Sequence, residues 1–391
     1  MNSPQELTYG KPTRPQAETF IVLAGQAFAF DPAQWLSSLG DDGWDNVRTL
    51  SDGEDVAAGL VIHTTGQWFG GRRLASHAIS AVVAAPQSRR RKLGHTLMLH
   101  ALRETRAVNA PLSVLYASTP NFYRGLGFEP AGDQMFWRTA THHLPSETEG
   151  ASYVPFTAAE QAGVHGLYVA FARAHTGLLD RTPHFWRAHL QPYDGSKRYA
   201  YRIEFAGELE GYVSLQHARP EGTLIVQDAI VTSMRAARAA LALLSHHKSV
   251  AEWVAFPDGP QGPLHKLIPG NQARPAASSQ EWLLRVTDVQ AALEQRGYPP
   301  LDVVLELEVA DAVLPENAGR YVLELTRGEP RVTRGGEGRI QLDVRALAAV
   351  FTGFSHPSEM QAAGLLDGDA AELQLLGAAF AGPRPFLLDS F

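Results

Sequence analysis

Residues 81–98, AVVAAPQSRRRKLGHTLM, are the stretch that decides the fold of the first part of the chain. An apolar, β-prone run ends at Pro86, a basic cluster follows, and a helical pattern begins near Lys92. The first backbone N–H groups of a helix have no intrahelical partner, and the helix dipole favours anions at that end. Arginine adds bidentate donors for phosphate. The stretch therefore predicts a site for a phosphate-bearing ligand, although such a cluster is also common as plain solvated surface.

A second stretch favours the ligand site over the solvated surface. The strand pattern of residues 112–117 runs into residues 118–130, STPNFYRGLGFEP. The chain thus has a strand, a basic turn, a helix and a second strand, followed by an aromatic segment that contains two glycines. This whole order is much less common than a basic turn alone.

Residues 81–97 and 118–128 together resemble the acetyl-CoA site of the GNAT N-acetyltransferases. The family signature Gln/Arg-x-x-Gly-x-Gly/Ala is Arg89-x-x-Lys92-x-Gly94 here, so a lysine replaces the first glycine. Lys92 can still offer its backbone N–H, provided that its φ is not positive. The resemblance implies acetyl-CoA as co-substrate. The residues expected to bind it, through backbone groups or guanidinium groups, are Val82, Val83, Ala84, Arg89, Arg90, Arg91, Gly94, His95, Thr96 and Ser118.

Composition and charge narrow the class of protein. The 391 residues are 45% hydrophobic and 19% charged, which is typical of a globular chain of two or three domains. A net charge of -7 argues against a nucleic-acid partner and favours cationic substrates. The chain has no cysteine, and its 15 histidines show no metal-ligand spacing, so we expect no disulfide and no metal. We also expect no signal peptide, no membrane partner and a cytoplasmic location.

An internal repeat is visible in the order of the predicted elements. A strand at 74–85 and a helix at 92–107 have a counterpart in a strand at 224–231 and a helix at 233–245. The counterpart lacks the arginine cluster and the glycine of the turn. We interpret it as a second, degenerate domain of the same fold. Two unrelated strand–helix segments are the alternative, because such units are common.

The polar stretch 141–150 is typical of a linker, and a third part begins with a helix predicted over 286–295. Its alternating strands at 301–309 and 321–326 resemble those of a sterol-carrier-protein domain. The fold class is therefore mixed α+β. The expected domains are a GNAT-like domain at 1–144, a degenerate GNAT-like domain at 145–286 and a sterol-carrier-like domain at 287–391. This order, with an aromatic last residue, resembles the Eis (enhanced intracellular survival) acetyltransferase family and implies a hexamer.

The resemblance also implies an acid and a base. Tyr123 would protonate the leaving thiolate, since a phenol with a pKa near 10 is protonated at neutral pH. The alternative is that Tyr123 is a core aromatic beside Phe122 and Phe128. The C-terminal carboxylate of Phe391 would be the base, provided that apolar residues of the tail hold it in place. Asp389 would add negative charge near a cationic substrate.

The acceptor is an amine, and the resemblance suggests aminoglycosides, other polyamine-like molecules or lysine side chains. Aromatic residues beside an acid suit a cation. The expected substrate-binding residues at the end of the first helix are Phe28, Phe30, Asp31 and Trp35. Two alternatives stay open: a protein lysine acetyltransferase, and a non-catalytic protein that binds coenzyme A or a small apolar ligand.

Overall fold

The computed structural model describes residues 7–33, 43–88, 92–191, 197–218 and 222–391. Within these ranges the chain forms three β-sheets with helices packed against each of them. The helices are α1 (Arg14–Phe28), α2 (Leu93–Ala107), α3 (Pro120–Arg124), α4 (Ala162–Ala174), α5 (Pro183–Leu190), α6 (Met234–Ser245), α7 (Pro263–Lys266), α8 (Val289–Gln295), α9 (Val344–Thr352), α10 (Pro357–Ala362) and α11 (Ala370–Ala379).

The first sheet contains the strands β1 (Thr8–Gly10), β2 (Val47–Asp52), β3 (Asp55–Phe69), β4 (Arg72–Ala84), β5 (Leu112–Tyr116), β6 (Glu129–Gln134), β9 (Leu179–Asp180) and β15 (Gln280–Val286). Their order is β1-β2-β3-β4-β5-β15-β6, and β9 pairs with β3. Strand patterns at 54–70 and 74–85 around Gly70 and Gly71 predict a hairpin. The structure confirms it, since the two glycines join β3 to β4 with φ of 58° and 79°. The predicted helix over 92–107 is α2, and its apolar face packs on β3 and β4.

The second sheet contains β7 (Phe136–Ala140), β8 (Ala151–Phe156), β10 (Tyr199–Phe205), β11 (Glu208–Ala218), β12 (Thr223–Val231), β13 (Trp253–Pro257) and β14 (Arg274–Pro275). Their order is β14-β7-β13-β12-β11-β10-β8. The strand and helix predicted at 224–231 and 233–245 are β12 and α6. The alanine-rich α6 lies close against β11 and β12, because small side chains let a helix approach a sheet.

The third sheet contains β16 (Val303–Ala310), β17 (Gly319–Thr326), β18 (Glu329–Arg334), β19 (Ile340–Asp343) and β20 (Leu366–Asp367), in the order β18-β17-β16-β19-β20. Helix α8 begins at Val289 and not at residue 286 as predicted, because the Asp288 carboxylate accepts the Ala291 N–H and caps the helix there. Helix α9 packs on β6 and β15 and so joins the third part to the first sheet.

The first two sheets exchange strands. Strand β7 precedes residue 145 but pairs with β13 in the second sheet. Strand β15 precedes residue 287 but lies between β5 and β6 in the first sheet. Sheet membership therefore does not follow the predicted boundaries at 144 and 286. Periodicity identifies a strand but not its partner, so the sequence contained no signal for this exchange.

The β3–β4 turn touches the third part of the chain through backbone alone. A Cβ placed on Gly70 would lie 2.1 Å from the carbonyl oxygen of Gly297. We expect Gly70→Ala to destabilise the protein by ~1–3 kcal/mol in addition to the cost of the positive φ. The added methyl group would collide with the backbone of Gly297, which would have to move. Gly53→Ala is the matched control, since Gly53 has the same φ of 58° with open space around it. Urea-unfolding midpoints measure both, and equal losses would contradict the contact.

Candidate active site

A gap opens between β4 and β5 in the first sheet. These strands pair in parallel over only four residues, from Ser76 opposite Leu112 to Ile79 opposite Leu115. Beyond Ile79, β4 continues to Ala84 with β3 as its only strand partner among the described residues. The backbone edge of residues 82–84 therefore faces the gap and has no strand partner there among the described residues.

A bulge in β4 marks the start of this gap. Ser80 pairs with Val61 and Val83 with Gly59, so Ala81 and Val82 together lie opposite one residue of β3. Ala81 takes a φ of 51°, which is the left-handed conformation expected at such a point. The bulge turns the end of β4 away from β5. It is therefore the local cause of the gap.

The amino end of α2 lies at the end of the β4 segment. The first backbone hydrogen bond of this helix joins the Thr96 N–H to the Lys92 carbonyl at 3.1 Å. The N–H groups of Leu93, Gly94 and His95 thus have no intrahelical acceptor and are available to an anion. A Cβ on Gly94 would lie 3.4 Å from the Phe122 ring, which is an ordinary van der Waals contact. Arg89, Arg90 and Arg91 lie outside the described residues.

Lys92 has a positive φ of 56°, so the condition set for its N–H in the sequence analysis is not met. The lysine instead adopts the left-handed backbone that a glycine takes without strain. Its side chain is exposed. The turn therefore keeps a conformation suited to the glycine of the signature, at a cost in strain that glycine would not have.

Tyr123 lies on the short helix α3 that follows β5. It is 8% exposed, and its ring makes edge contacts with Phe122 and Phe128 at centroid distances of 4.9 and 6.0 Å. Burial raises the pKa of the phenol to about 12, so it is protonated at neutral pH. Packing and proton donation were the two alternatives from sequence, and this geometry is compatible with both. Ser118, at the loop before α3, is exposed.

The C-terminal segment is held against the end of β5. The Tyr116 hydroxyl donates to the Asp389 carbonyl at 2.6 Å, and the Gln134 side-chain amide donates to the same carbonyl at 3.1 Å. The Gln134 amide also donates to the Ser390 hydroxyl at 2.8 Å. The ring of Phe391 contacts Tyr116 at 5.0 Å and Phe185 at 6.0 Å. The last residue is therefore fixed by its own side chain and by the two residues before it.

The expectation for Asp389 needs a correction. Its carboxylate is fully buried, and Oδ1 accepts from Arg181 Nε at 2.7 Å and from His189 Nε2 at 2.9 Å. The side chain is thus used inside the protein and does not face a substrate. The sequence offered no sign of these partners, which lie about 200 positions earlier in the chain and come together only on folding.

A histidine pair beside the gap also escaped the sequence analysis. His63 Nε2 lies 3.0 Å from the Ser80 hydroxyl, next to the bulge, and the His63 ring stacks on His184 at 4.5 Å. Burial lowers the pKa of His63 to about 3, with the neighbouring His184 adding to the effect, so the ring is neutral. His184 in turn contacts Phe185 at 5.4 Å. These rings connect the bulge to the Phe391 side chain.

The predicted substrate residues lie at the end of α1. Phe28 is 45% exposed, and Phe30 packs on the small cluster that contains Val83 and borders Ala81. Asp31 is exposed and accepts the Ala33 N–H at 2.9 Å. Trp35 lies outside the described residues. Phe28 is thus the last residue of the helix that packs against β4, and Phe30 and Asp31 lie just after its end.

The described residues contain neither a cluster of metal ligands nor a membrane-spanning helix. In the part of the chain that the structure covers, no group of three or more His, Asp or Glu residues could hold a metal ion. Among the same residues, no helix is both long enough and apolar enough to cross a membrane.

Comparison with known families finds matches along most of the chain. The family described as "Acetyltransferase (GNAT) domain" matches twice, at residues 9–131 and 177–286. The family described as "Sterol carrier protein domain" matches residues 289–388. An uncharacterized N-acetyltransferase of Streptomyces coelicolor is 29% identical over 79% of this chain and 80% of its own. The N-acetyltransferase Eis of Mycobacterium tuberculosis is 27% identical over 80% and 79%.

Solved structures agree with these matches. A GCN5-related N-acetyltransferase from Anabaena variabilis is 30% identical and superposes with a TM-score of 0.93, covering 98% of this chain and 100% of its own. A GCN5-related N-acetyltransferase from Kribbella flavida is 27% identical with a TM-score of 0.88, covering 98% of each chain.

Lys92 provides a test of the turn. We expect Lys92→Gly to stabilise the protein by ~1 kcal/mol, because glycine removes the left-handed strain. Lys92→Ala removes the same side chain but keeps the strain, so it serves as the control and gives no gain. Thermal midpoints of the two variants measure the difference. Equal midpoints for Gly and Ala would show that the φ of 56° carries no cost.

Proposed function

The chain belongs to the GCN5-related N-acetyltransferase family, in the Eis-like form with two acetyltransferase domains and a sterol-carrier domain, and we propose how it works. It moves the acetyl group of acetyl-CoA directly to a primary amine of an aminoglycoside-like or polyamine-like acceptor. Tyr123 is the general acid and the terminal carboxylate of Phe391 is the general base. The observation that carries the proposal is a last residue fixed beside the end of β5, the strand that leads into the short helix α3 with its buried, protonated phenol, Tyr123.

The chemical groups of acetyl-CoA match those that the chain offers at the gap between β4 and β5, here called the first gap. The pantetheine amides require exposed backbone groups, and residues 82–84 offer an unpaired strand edge. The pyrophosphate requires donors, and the N–H groups of Gly94 and His95 are available at the start of α2. Arg89 and its two arginine neighbours would add charge at this turn. We therefore assign the cofactor residues predicted from sequence to this gap.

The acid step follows from the state of Tyr123. The acceptor nitrogen attacks the thioester carbonyl carbon, a C–N bond forms, and the C–S bond then breaks. The departing sulfur takes a proton from the Tyr123 hydroxyl, which burial keeps protonated. Because the pKa is raised to about 12, this acid keeps its proton beyond the pH at which an exposed phenol titrates, about 10.

The base step uses the end of the chain. A terminal carboxyl group has a pKa of about 3.5 and is ionised at neutral pH. It accepts the proton that the nitrogen loses as the new amide forms. A base at a chain end works only if that end does not fray. The hydrogen bonds to Asp389 and Ser390 and the contacts of the Phe391 ring meet this requirement.

The acceptor class is supported by charge and by α1. An acidic chain attracts a polycation, and an exposed Phe28 with an exposed Asp31 suits an ammonium group. A cytoplasmic location, a hexameric assembly and the lack of nucleic-acid or membrane partners remain predictions. So does the alternative of a lysine side chain as acceptor, and the assay below includes it.

Acid and base are tested by coenzyme A release with aminoglycosides, polyamines and lysine peptides as acceptors. We expect Tyr123→Phe to lower kcat by about 10²–10⁴-fold, as for the loss of a positioned proton donor. A chain extended by two glycines after Phe391 moves the carboxylate away and is expected to lose a similar factor. Tyr153→Phe is the control, since this phenol lies on β8 of the second sheet and donates to the Ala239 carbonyl on α6.

Retained turnover in either altered chain would contradict the role given to that group. Binding of acetyl-CoA without turnover on any amine would instead favour the non-catalytic alternative. The same assay names the acceptor class when turnover is found.

The acceptor site has its own test. We expect Phe28→Ala and Asp31→Asn each to raise the KM for a polycationic acceptor several-fold with little change in kcat, because ground-state contacts are lost. Tyr199→Ala is a matched control, since Tyr199 is 44% exposed in the second sheet. An unchanged KM in both variants would place the acceptor elsewhere.

A further inference from the structure

The second acetyltransferase domain has a gap of its own. Strands β12 and β13 pair in parallel only from Thr223 to Ile225 and then part. Ser214 pairs with Asp228 and Leu215 with Val226, so Gln227 is a bulge on β12. In the first domain, the bulge at Ala81 likewise comes two residues after the last parallel pair, at Ile79. The two gaps are therefore equivalent, and Asp228 corresponds to Val82.

Protein groups fill the second gap. The Asp228 carboxylate accepts from Arg181 Nη1 at 2.5 Å and from the Tyr212 hydroxyl at 2.7 Å. The carbonyl of Gln227, in the bulge itself, lies 3.1 Å from His189 Nδ1. Arg181, Asp228 and Tyr212 are each almost completely buried. The strand edge that would hold a cofactor in the first domain is thus occupied by side chains in the second.

The helix start beside the second gap is also closed to an anion. The Ser233 hydroxyl accepts the Ala236 N–H at 3.1 Å and so caps α6. The same hydroxyl donates to the Glu210 carboxylate, which also pairs with Arg235. The Glu210 carboxylate therefore lies at the start of α6, whereas the equivalent helix start of the first domain, that of α2, offers free N–H groups. A phosphate at this place would meet a negative charge.

The groups in the second gap hold the C-terminal tail. Arg181 and His189 both donate to Oδ1 of Asp389, at 2.7 and 2.9 Å. Leu388 packs in the same apolar cluster as Tyr212 and Ile230. We call Arg181, His189, Tyr212 and Asp228 the tail socket. Asp389 is two residues from the chain end, and two residues span at most ~7 Å.

The buried guanidinium of Arg181 is shared between two carboxylates. Its Nη1 donates to Asp228, and its Nε donates to Oδ1 of Asp389. His189 lies between two acceptors, the Gln227 carbonyl and the Asp389 carboxylate. Burial is the largest single influence on the pKa of Asp228 and raises it, but the charge of Arg181 and the hydrogen bonds from Arg181 and Tyr212 act together with the effect of His189, and the net shift is downward. Each carboxylate is thus required to neutralise the buried guanidinium.

We propose that the second domain has exchanged a cofactor site for a socket that positions the catalytic base. Arg181, His189 and Asp228 are positioning residues, which act through Asp389 on the terminal carboxylate of Phe391. This inference rests on the proposed role of that carboxylate as the base. It assigns a function to a domain that would otherwise be a degenerate copy.

The test is a cycle of variants measured by coenzyme A release and by acetyl-CoA binding. We expect Asp389→Asn and, separately, His189→Gln to lower kcat by about 10²-fold, the effect of displacing a catalytic group by ~1 Å. The Kd for acetyl-CoA stays unchanged, because the first gap is intact. Asp311→Asn is the matched control, since Asp311 pairs with the buried Arg285 away from the tail. It is expected to lower stability without lowering kcat in the folded protein.

The decisive arm repeats Asp389→Asn in the chain extended by two glycines. There the carboxylate is already displaced, so the socket variant causes no further loss. An equal loss in both backgrounds, or no loss in the natural chain, would overturn the socket while leaving the base in place. If the extension alone left kcat unchanged, the terminal base itself would fall. If Asp389→Asn does not fold, His189→Gln takes its place in both backgrounds.

Discussion

The ion pairs of the fully buried Arg181 guanidinium are the interactions on which the position of the C-terminal tail depends. A buried cation is tolerated only when carboxylates and hydrogen bonds replace the water that it loses. Arg181 obtains this from Asp228 on β12 and from Asp389 in the tail. The two carboxylates accept from different nitrogens of Arg181, Asp228 from Nη1 and Asp389 from Nε, so neither replaces the other. The second sheet and the tail are therefore required to fold against each other.

The equivalent gaps of the two acetyltransferase domains therefore contain different groups. In the first domain the parted strands β4 and β5 leave a backbone edge and a helix start open. In the second domain the parted strands β12 and β13 surround side chains that hold the tail. The exchange of β7 and β15 between the sheets joins the two domains as one body. In the mechanism that we propose, the base for one domain is thereby held by the other.

Local signals in the sequence predicted local structure well. The pair Gly70–Gly71 predicted the hairpin, and the apolar pattern after the basic turn predicted α2, because both depend on neighbouring residues. The family signature pointed to residues 82–84 and to Tyr123, whose roles stay predictions. The left-handed φ of Lys92 was not predicted, since a lysine there carries no mark of strain. Asp389 was misread as a substrate contact, because an aspartate near an exposed end is expected in solvent.

The rest could not be read from the chain because it is long-range. Arg181 and Asp389 are 208 positions apart and show no pattern that pairs them. The same is true of His63 and His184, which meet across two domains. These side chains pair with one another because folding buries them together, and their residue types alone do not indicate the pairing. Composition predicts how much burial a chain can achieve but not which polar groups it encloses.

A crystal structure of the protein with coenzyme A bound tests the central claim most directly. The account predicts coenzyme A between β4 and β5, with its sulfur within hydrogen-bond reach of the Tyr123 hydroxyl and the Phe391 carboxylate on the acceptor side. It also predicts no coenzyme A between β12 and β13, with Arg181 still on Asp389. Coenzyme A between β12 and β13, or a Phe391 carboxylate turned away from the sulfur, would contradict it.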